Sequence, residues 1–126
     1  MELQIYKMAK HIERGKDGEL LACDYLKRKD FEIMYCNWRF KHYEIDIIAL
    51  KNEIIHFIEV KTRQTTTFGY PEESVTPKKF NNLKKGAAAF LSRFREVKNI
   101  QFDVLSILTI PGNETEYYFI EDFYLY

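Results

Sequence analysis

Three acids and a lysine interrupt two otherwise apolar runs of the chain. Within YEIDIIALKNEIIHFIEVKTR, residues 43–63, Glu44, Asp46, Glu59 and Lys61 fall inside short runs rich in isoleucine. Residues 43–50 and 54–61 read as β-strands, and Lys51-Asn52-Glu53 between them reads as the turn of a hairpin. Side chains alternate along a strand, so Glu44 shares a face with Asp46, and Glu59 shares one with Lys61. If Asn52 and Glu53 alone make the turn, Lys51 pairs with Ile54 and Asp46 falls opposite Glu59. A two-residue loop placed one position earlier leaves them diagonal neighbours on one face, whereas an odd-length loop separates them.

Carboxylates held about 4 Å apart repel by roughly 1–4 kcal/mol. A divalent cation offsets that cost, and magnesium, which takes one or two carboxylates plus waters and phosphate oxygens, suits this donor set. Lys61 is placed to hold a water or to offset charge growing on a phosphate. A metal that activates water, beside a cation near the transition state, is the equipment of phosphodiester hydrolysis. The same spacing is also that of a plain cross-strand ion pair between Asp46 and Lys61.

The elements that must position these residues follow from pattern. A first helix is predicted over residues 11–29, with Leu20, Leu21, Tyr25 and Leu26 as its buried stripe. Residues 31–40 read as a strand in which Phe31, Ile33 and Tyr35 alternate against Glu32 and Met34. Residues 65–75, with Gly69 and Pro71, read as a loop. Thr76-Pro77 starts a second helix, threonine as N-cap and proline in the first helical position, running to Phe94. Its buried side should hold Phe80, Leu83, Ala87, Phe90, Leu91 and Phe94. Strands over residues 100–110 and 117–123 follow, joined through Pro111-Gly112-Asn113. The order α-β-β-β-α-β-β indicates an α/β domain, a mixed sheet of about five strands flanked by helices, with residues 1–126 forming a single unit.

Composition narrows the class. The chain has 126 residues, 46% hydrophobic and 16% aromatic, which favours folding over disorder. No apolar stretch approaches the roughly 20 residues that span a bilayer, and the first residues lack the pattern of a secretion signal. Cys23 and Cys36 belong to no CxxC or histidine cluster, so two reduced thiols in a cytoplasmic protein are expected rather than a zinc site. Zero net charge argues against binding nucleic acid by bulk electrostatics alone. The distribution is uneven, though: residues 78–98 hold seven Lys or Arg against one acid, and residues 101–126 hold five acids and no Lys or Arg. Such a basic segment is either a phosphate-binding surface or a solvated helix face.

Asp46 followed by Glu59-Val60-Lys61 resembles the core of the PD-(D/E)xK nuclease superfamily, which includes archaeal Holliday junction resolvases. More closely, GKDGELLACDYL, NWRF, EIDIIA, IEVKTR, FGYPEESVTPKK and FDV, spread over residues 15–104, resemble the bacterial YraN family of endonuclease-like proteins. The resemblance implies a restriction-endonuclease-like fold and a divalent-metal-dependent endonuclease acting on DNA. Glu19 would be the helix-borne acid, Asp46 and Glu59 the central ligands of Mg2+ or Mn2+, and Lys61 the catalytic lysine. Glu44 ranks below these four. Gly18, just before the acid, would let a backbone or phosphate approach. One departure is His42-Tyr43, where relatives carry glycine before EID; no role is assigned to His42.

If phosphate is the substrate, Arg39, Lys41, Arg63, Lys78 and Lys79 are candidates for nucleic-acid contact. Nothing in the chain suggests a helix for reading base edges, so structure-selective rather than sequence-specific recognition of double-stranded or branched DNA is expected. Trp38 and the C-terminal tyrosines are expected mainly in core packing. By analogy with resolvases a homodimer is expected. The alternatives are a non-catalytic nucleic-acid-binding protein and a protein-interaction module retaining the nuclease fold.

Overall fold

In the computed structural model, which describes residues 17–64, 75–94 and 99–123, the hairpin turns on two residues. Asn52 and Glu53 take left-handed φ of +52° and +65°, as a type I′ turn requires to match the twist of the strands. It joins β2 (Tyr43–Lys51) to β3 (Ile54–Arg63), with Lys51 paired to Ile54 and Ile47 to Ile58. β1 (Glu32–Phe40) lies antiparallel to β2 on its outer side. β4 (Asn99–Leu108) runs parallel to β3, and β5 (Glu116–Ile120) returns antiparallel to β4. The mixed sheet therefore has the order β1-β2-β3-β4-β5, with β3 at its centre.

A helix covers each face. α1 (Asp17–Arg28) brings Ala22, Cys23 and Leu26 onto Ile33, Cys36, Ile47, Ile58 and Leu105. α2 (Pro77–Leu91) makes the crossover between the parallel strands and packs Leu83, Ala87 and Phe90 on Ile45, Ile48 and Phe57. Phe90 meets Phe57, Trp38 and Tyr35 edge-on at 5.4–5.9 Å, so Trp38 packs in the core as expected. α2 starts as its sequence dictates, with Thr76 Oγ1 accepting from the Lys79 N–H and Pro77 in the first turn. Gly86 lets α2 lie close to β2, because a Cβ there would sit 3.3 Å from Ile45 Cγ1.

At the hairpin end of the sheet a buried polar pair crosses from β3 to β4. His56 Nδ1 lies 2.6 Å from Asp103 Oδ2, and Asp103 Oδ1 accepts from Gln101 Nε2 and the Asp122 N–H. These bonds tie the central strands to the turn after β5, and they hold the FDV segment in place.

Several sequence expectations are corrected. Of the expected α1 stripe, Leu26 is buried and Leu21 and Tyr25 pack against the core, but Leu20 is 37% exposed, and Ala22 and Cys23 face the sheet beside Leu26. Residues 11–16 and 65–74, covering the expected start of this helix and nearly all of the loop, lie outside the described residues. β1 does not keep its expected alternation: a register shift between Ile33 and Tyr35 puts Met34 and Tyr35 both on the α2 face. α2 ends at Leu91 rather than Phe94, capped by Ser92, whose N–H reaches Ala88 O. β5 stops at Ile120, since Asp122 turns to a φ of +56° to donate to Asp103.

The turn geometry gives a direct test. Glutamate at φ +65° is strained where glycine is not, so Glu53→Gly should stabilise the protein by up to about 1 kcal/mol in urea unfolding. A loss of stability of that size would contradict the I′ assignment.

Candidate active site

The ladder between β2 and β3 runs from Lys51↔Ile54 to Ile47↔Ile58 and stops there. One step further the register brings Asp46 to Glu59, as the two-residue turn requires. In place of a ladder bond, Asp46 Oδ2 accepts from the Val60 N–H at 2.8 Å. A side-chain oxygen thus stands in for a backbone carbonyl where the two strands part. The local backbone explains how. Cys36 and Ile47 pack on the α1 face, whereas Trp38 and Ile45 pack on the α2 face. Side chains two apart on a regular strand share a face, so β1 and β2 both switch sides, across Asn37 and Asp46. Asn37 accomplishes its switch with a φ of +52°, a conformation asparagine tolerates better than most residues.

The site is charged and partly closed. A cavity of about 220 Å³ is lined by His42, Glu44, Asp46, Glu59, Lys79, Asn82 and Leu83. Burial first, and then the Glu59 charge, push the Asp46 carboxyl up to about 7; Glu44 and Glu19 add to this, while the Val60 hydrogen bond opposes it. Glu59 Oε1 lies 3.3 Å from Lys61 Nζ, both side chains about a fifth to a quarter exposed. Burial works against the Lys61 charge, but its contacts with Lys79, Glu59 and Asp46 outweigh burial and raise its pKa. Lys79 is shifted down by its hydrogen bond to Lys61 and by that group's charge. Two amines from β3 and α2 therefore meet beside two carboxylates.

Glu19 stands on the first turn of α1, and its Oε2 accepts from Asn37 Nδ2 at 2.9 Å. It reaches Asp46 electrostatically but does not line the cavity. Gly18 is tight against β3: a Cβ there would fall 1.9 Å from Thr62 Cγ2, so a threonine side chain occupies the space expected for a backbone or phosphate. Glu44 lines the cavity and takes a surface hydrogen bond from Arg39 at 3.4 Å. Lys41 is exposed in the β1–β2 turn, its ammonium 5.5 Å from the Phe40 ring centroid. Lys78 is exposed on the first turn of α2, and Arg63 is half-buried at the end of β3. Arg39 and Lys41 therefore sit at the β1–β2 turn, while Lys79 alone of the five basic candidates lines the cavity.

The donors around the cavity are carboxylate oxygens, which suits a hard divalent ion. Asn37 Oδ1 is moreover buried without a hydrogen-bond partner. Among the described residues, however, no three His, Cys, Asp or Glu side chains converge on one point. Glu59 is turned to Lys61 and Glu19 to Asn37. The fit is thus to a cation held by Asp46 and Glu59, with water or phosphate completing its shell. Asn37 is the residue that sequence reasoning missed; its signal was an asparagine inside a strand-like run.

The raised Asp46 value has a measurable consequence in the metal-free protein. The unfolded value is about 3.9, so folding favours the protonated form. The stability gained from this group is complete below pH about 4 and is lost as pH rises to about 7, at most about 4 kcal/mol in all. Asp46→Asn should remove that dependence and be the more stable protein at neutral pH. Wild-type and variant stabilities that stay parallel across this range would contradict the burial of the Asp46 carboxyl beside Glu59.

Comparison with known proteins places the chain. The model of the uncharacterised protein family UPF0102 matches residues 18–107, a span that includes all of α1 but its first residue, the hairpin and most of β4. A UPF0102 protein of Bacteroides fragilis is 38% identical over 117 residues, covering 93% of this chain and 97% of the relative. One from Syntrophomonas wolfei is 46% identical over 101 residues, covering 79% and 88%, and one from Flavobacterium johnsoniae is 40% identical over 104. The matched span holds Glu19, Asn37, Asp46, Glu59, Lys61 and Lys79 together, and the chain belongs to the UPF0102 family.

Proposed function

We propose that this protein is a divalent-metal-dependent endonuclease of the PD-(D/E)xK type, hydrolysing DNA phosphodiester bonds with selectivity for structure rather than sequence. The observation that carries this reading is the meeting of Asp46, Glu59, Lys61 and Lys79 at the point where β2 and β3 part. Asp46 and Glu59 would hold Mg2+ or Mn2+, with Glu19 as the third acid in electrostatic reach. When bound, the ion supplies an activated water and polarises a phosphoryl oxygen.

The protein's own groups do the rest. Lys61 holds the attacking water or offsets charge developing on phosphorus. Lys79, beside it, offers a second cation; an anionic oxygen between the two amines would relieve their mutual repulsion. Arg39, Lys41, Arg63 and Lys78 would contact backbone phosphates, which position a duplex without reading its sequence. The exposed Lys84 and Lys85 extend that basic face along α2. Among the described residues no helix is long and apolar enough to cross a membrane. Two symmetric cuts on a branched junction would call for a homodimer, which belongs to the same proposal.

Cleavage of branched, flapped and linear DNA in Mg2+ or Mn2+ tests this reading. Wild type should cut branched substrates, and Glu59→Ala and Lys61→Ala should each lose about 10²–10³-fold in rate while still binding DNA. If all three proteins bind DNA alike and none cuts, a non-catalytic binding role replaces the enzyme. If wild type neither binds DNA nor takes up metal, an interaction module does.

A further inference from the structure

One helical turn beyond Glu19, a second contact joins the same two elements. Cys23 lies four residues after Glu19 on α1, and Cys36 immediately precedes Asn37 on β1. Their sulfurs are 3.4 Å apart, in contact but not joined as a disulfide. Ala22, Leu26, Ile33 and Ile47 share the core around them, and Cys23 is 2% exposed against 9% for Cys36. Disulfide length is about 2.05 Å, so the sulfurs need to approach by only roughly 1.4 Å. The proposed hydrolytic chemistry uses neither thiol.

We propose that Cys23 and Cys36 form a peroxide-sensitive dithiol, a modification site at which oxidation fastens α1 to β1 through a disulfide. The two thiols have unequal roles. Cys36 is the more exposed, and a hydrogen bond donated by Cys23 would favour its thiolate, although burial opposes this. Its sulfur attacks one oxygen of hydrogen peroxide; the O–O bond breaks, an S–O bond forms, and the departing hydroxide takes a proton to become water. The Cys23 sulfur then attacks the sulfenic sulfur. The S–S bond forms as the S–O bond breaks, and water leaves with the proton from Cys23. Two thiols have lost two electrons and two protons, and one peroxide has become two waters.

The outcome is a covalent clamp on the helix that carries Glu19, immediately behind the Glu19–Asn37 hydrogen bond. The dithiol stands on its own geometry and does not depend on the nuclease reading. The full chain is treated with excess hydrogen peroxide, quenched with catalase, alkylated in denaturant and weighed intact. Both thiols should become unreactive together, with a mass lower by two hydrogens, no chain-to-chain cross-link, and full reversal by dithiothreitol. Amide hydrogen exchange in α1 should slow by about tenfold or more in the oxidised form. Cys23→Ser, lacking the resolving thiol, should instead gain oxygen at Cys36. Wild type that keeps both thiols alkylatable, gains oxygen without forming the disulfide, or cross-links between chains overturns the proposal. An oxidised form with unchanged exchange in α1 overturns the clamp.

Discussion

The hydrogen bond from the Val60 N–H to Asp46 Oδ2 is the constraint on which the site rests. Strands that part must leave backbone donors behind, and a buried donor without an acceptor costs about 1–3 kcal/mol. Here a carboxylate takes the place of the missing carbonyl. One interaction therefore ends the β2–β3 ladder, opens space between the strands and fixes an acid at the opening. The same bond lowers the cost of ionising Asp46, but burial and the neighbouring acids outweigh it. A carboxyl held at that balance binds a proton readily, and the proposed cation would compete with that proton for the same side chain.

The remainder of the fold brings charges of both signs to that opening. β3 carries Glu59 and Lys61 on one face, and parallel pairing with β4 buries its middle, with Phe57 and Ile58 fully enclosed on opposite sides. α2 is drawn close to β2 by Gly86 and anchored by Phe90, which sets its N-terminal Lys79 over the same cavity. α1 approaches from the other side, and Asn37 links it to β1 through Glu19. The His56–Asp103 pair lies about 10 Å back along β3, at roughly 3.3 Å per residue. It braces the sheet where Phe31 and the post-β5 turn close over it.

Parity made the hairpin legible. A two-residue turn keeps Asp46 and Glu59 on one face in either placement, and the observed pairs from Lys51↔Ile54 to Ile47↔Ile58 select the turn at Asn52-Glu53. Thr76-Pro77 was equally readable, because a cap and a preset φ act locally. The bulge near Met34 and the change of face at Asn37 and Asp46 were not readable. A period of two assumes an unbroken ladder, and these breaks arise from tertiary contacts with α1 and β3. Leu20 misled because hydrophobicity marked it as core, whereas the face that meets the sheet is that of Ala22, Cys23 and Leu26. Glu19 entered only through resemblance, since a lone glutamate on a helix ordinarily faces water. The hydrogen bond to Asn37 shows what holds it toward the sheet.

The central claim is that the parting of β2 and β3 makes a cation site from Asp46 and Glu59. Anomalous diffraction from crystals soaked in Mn2+ measures this directly. The account predicts a peak between the two carboxylates, about 2.0–2.3 Å from an oxygen of each, with Glu59 turned from Lys61 toward the ion. Full soaking that leaves no peak there, with Asp46 still bonded to Val60 and Glu59 still paired to Lys61, would contradict it.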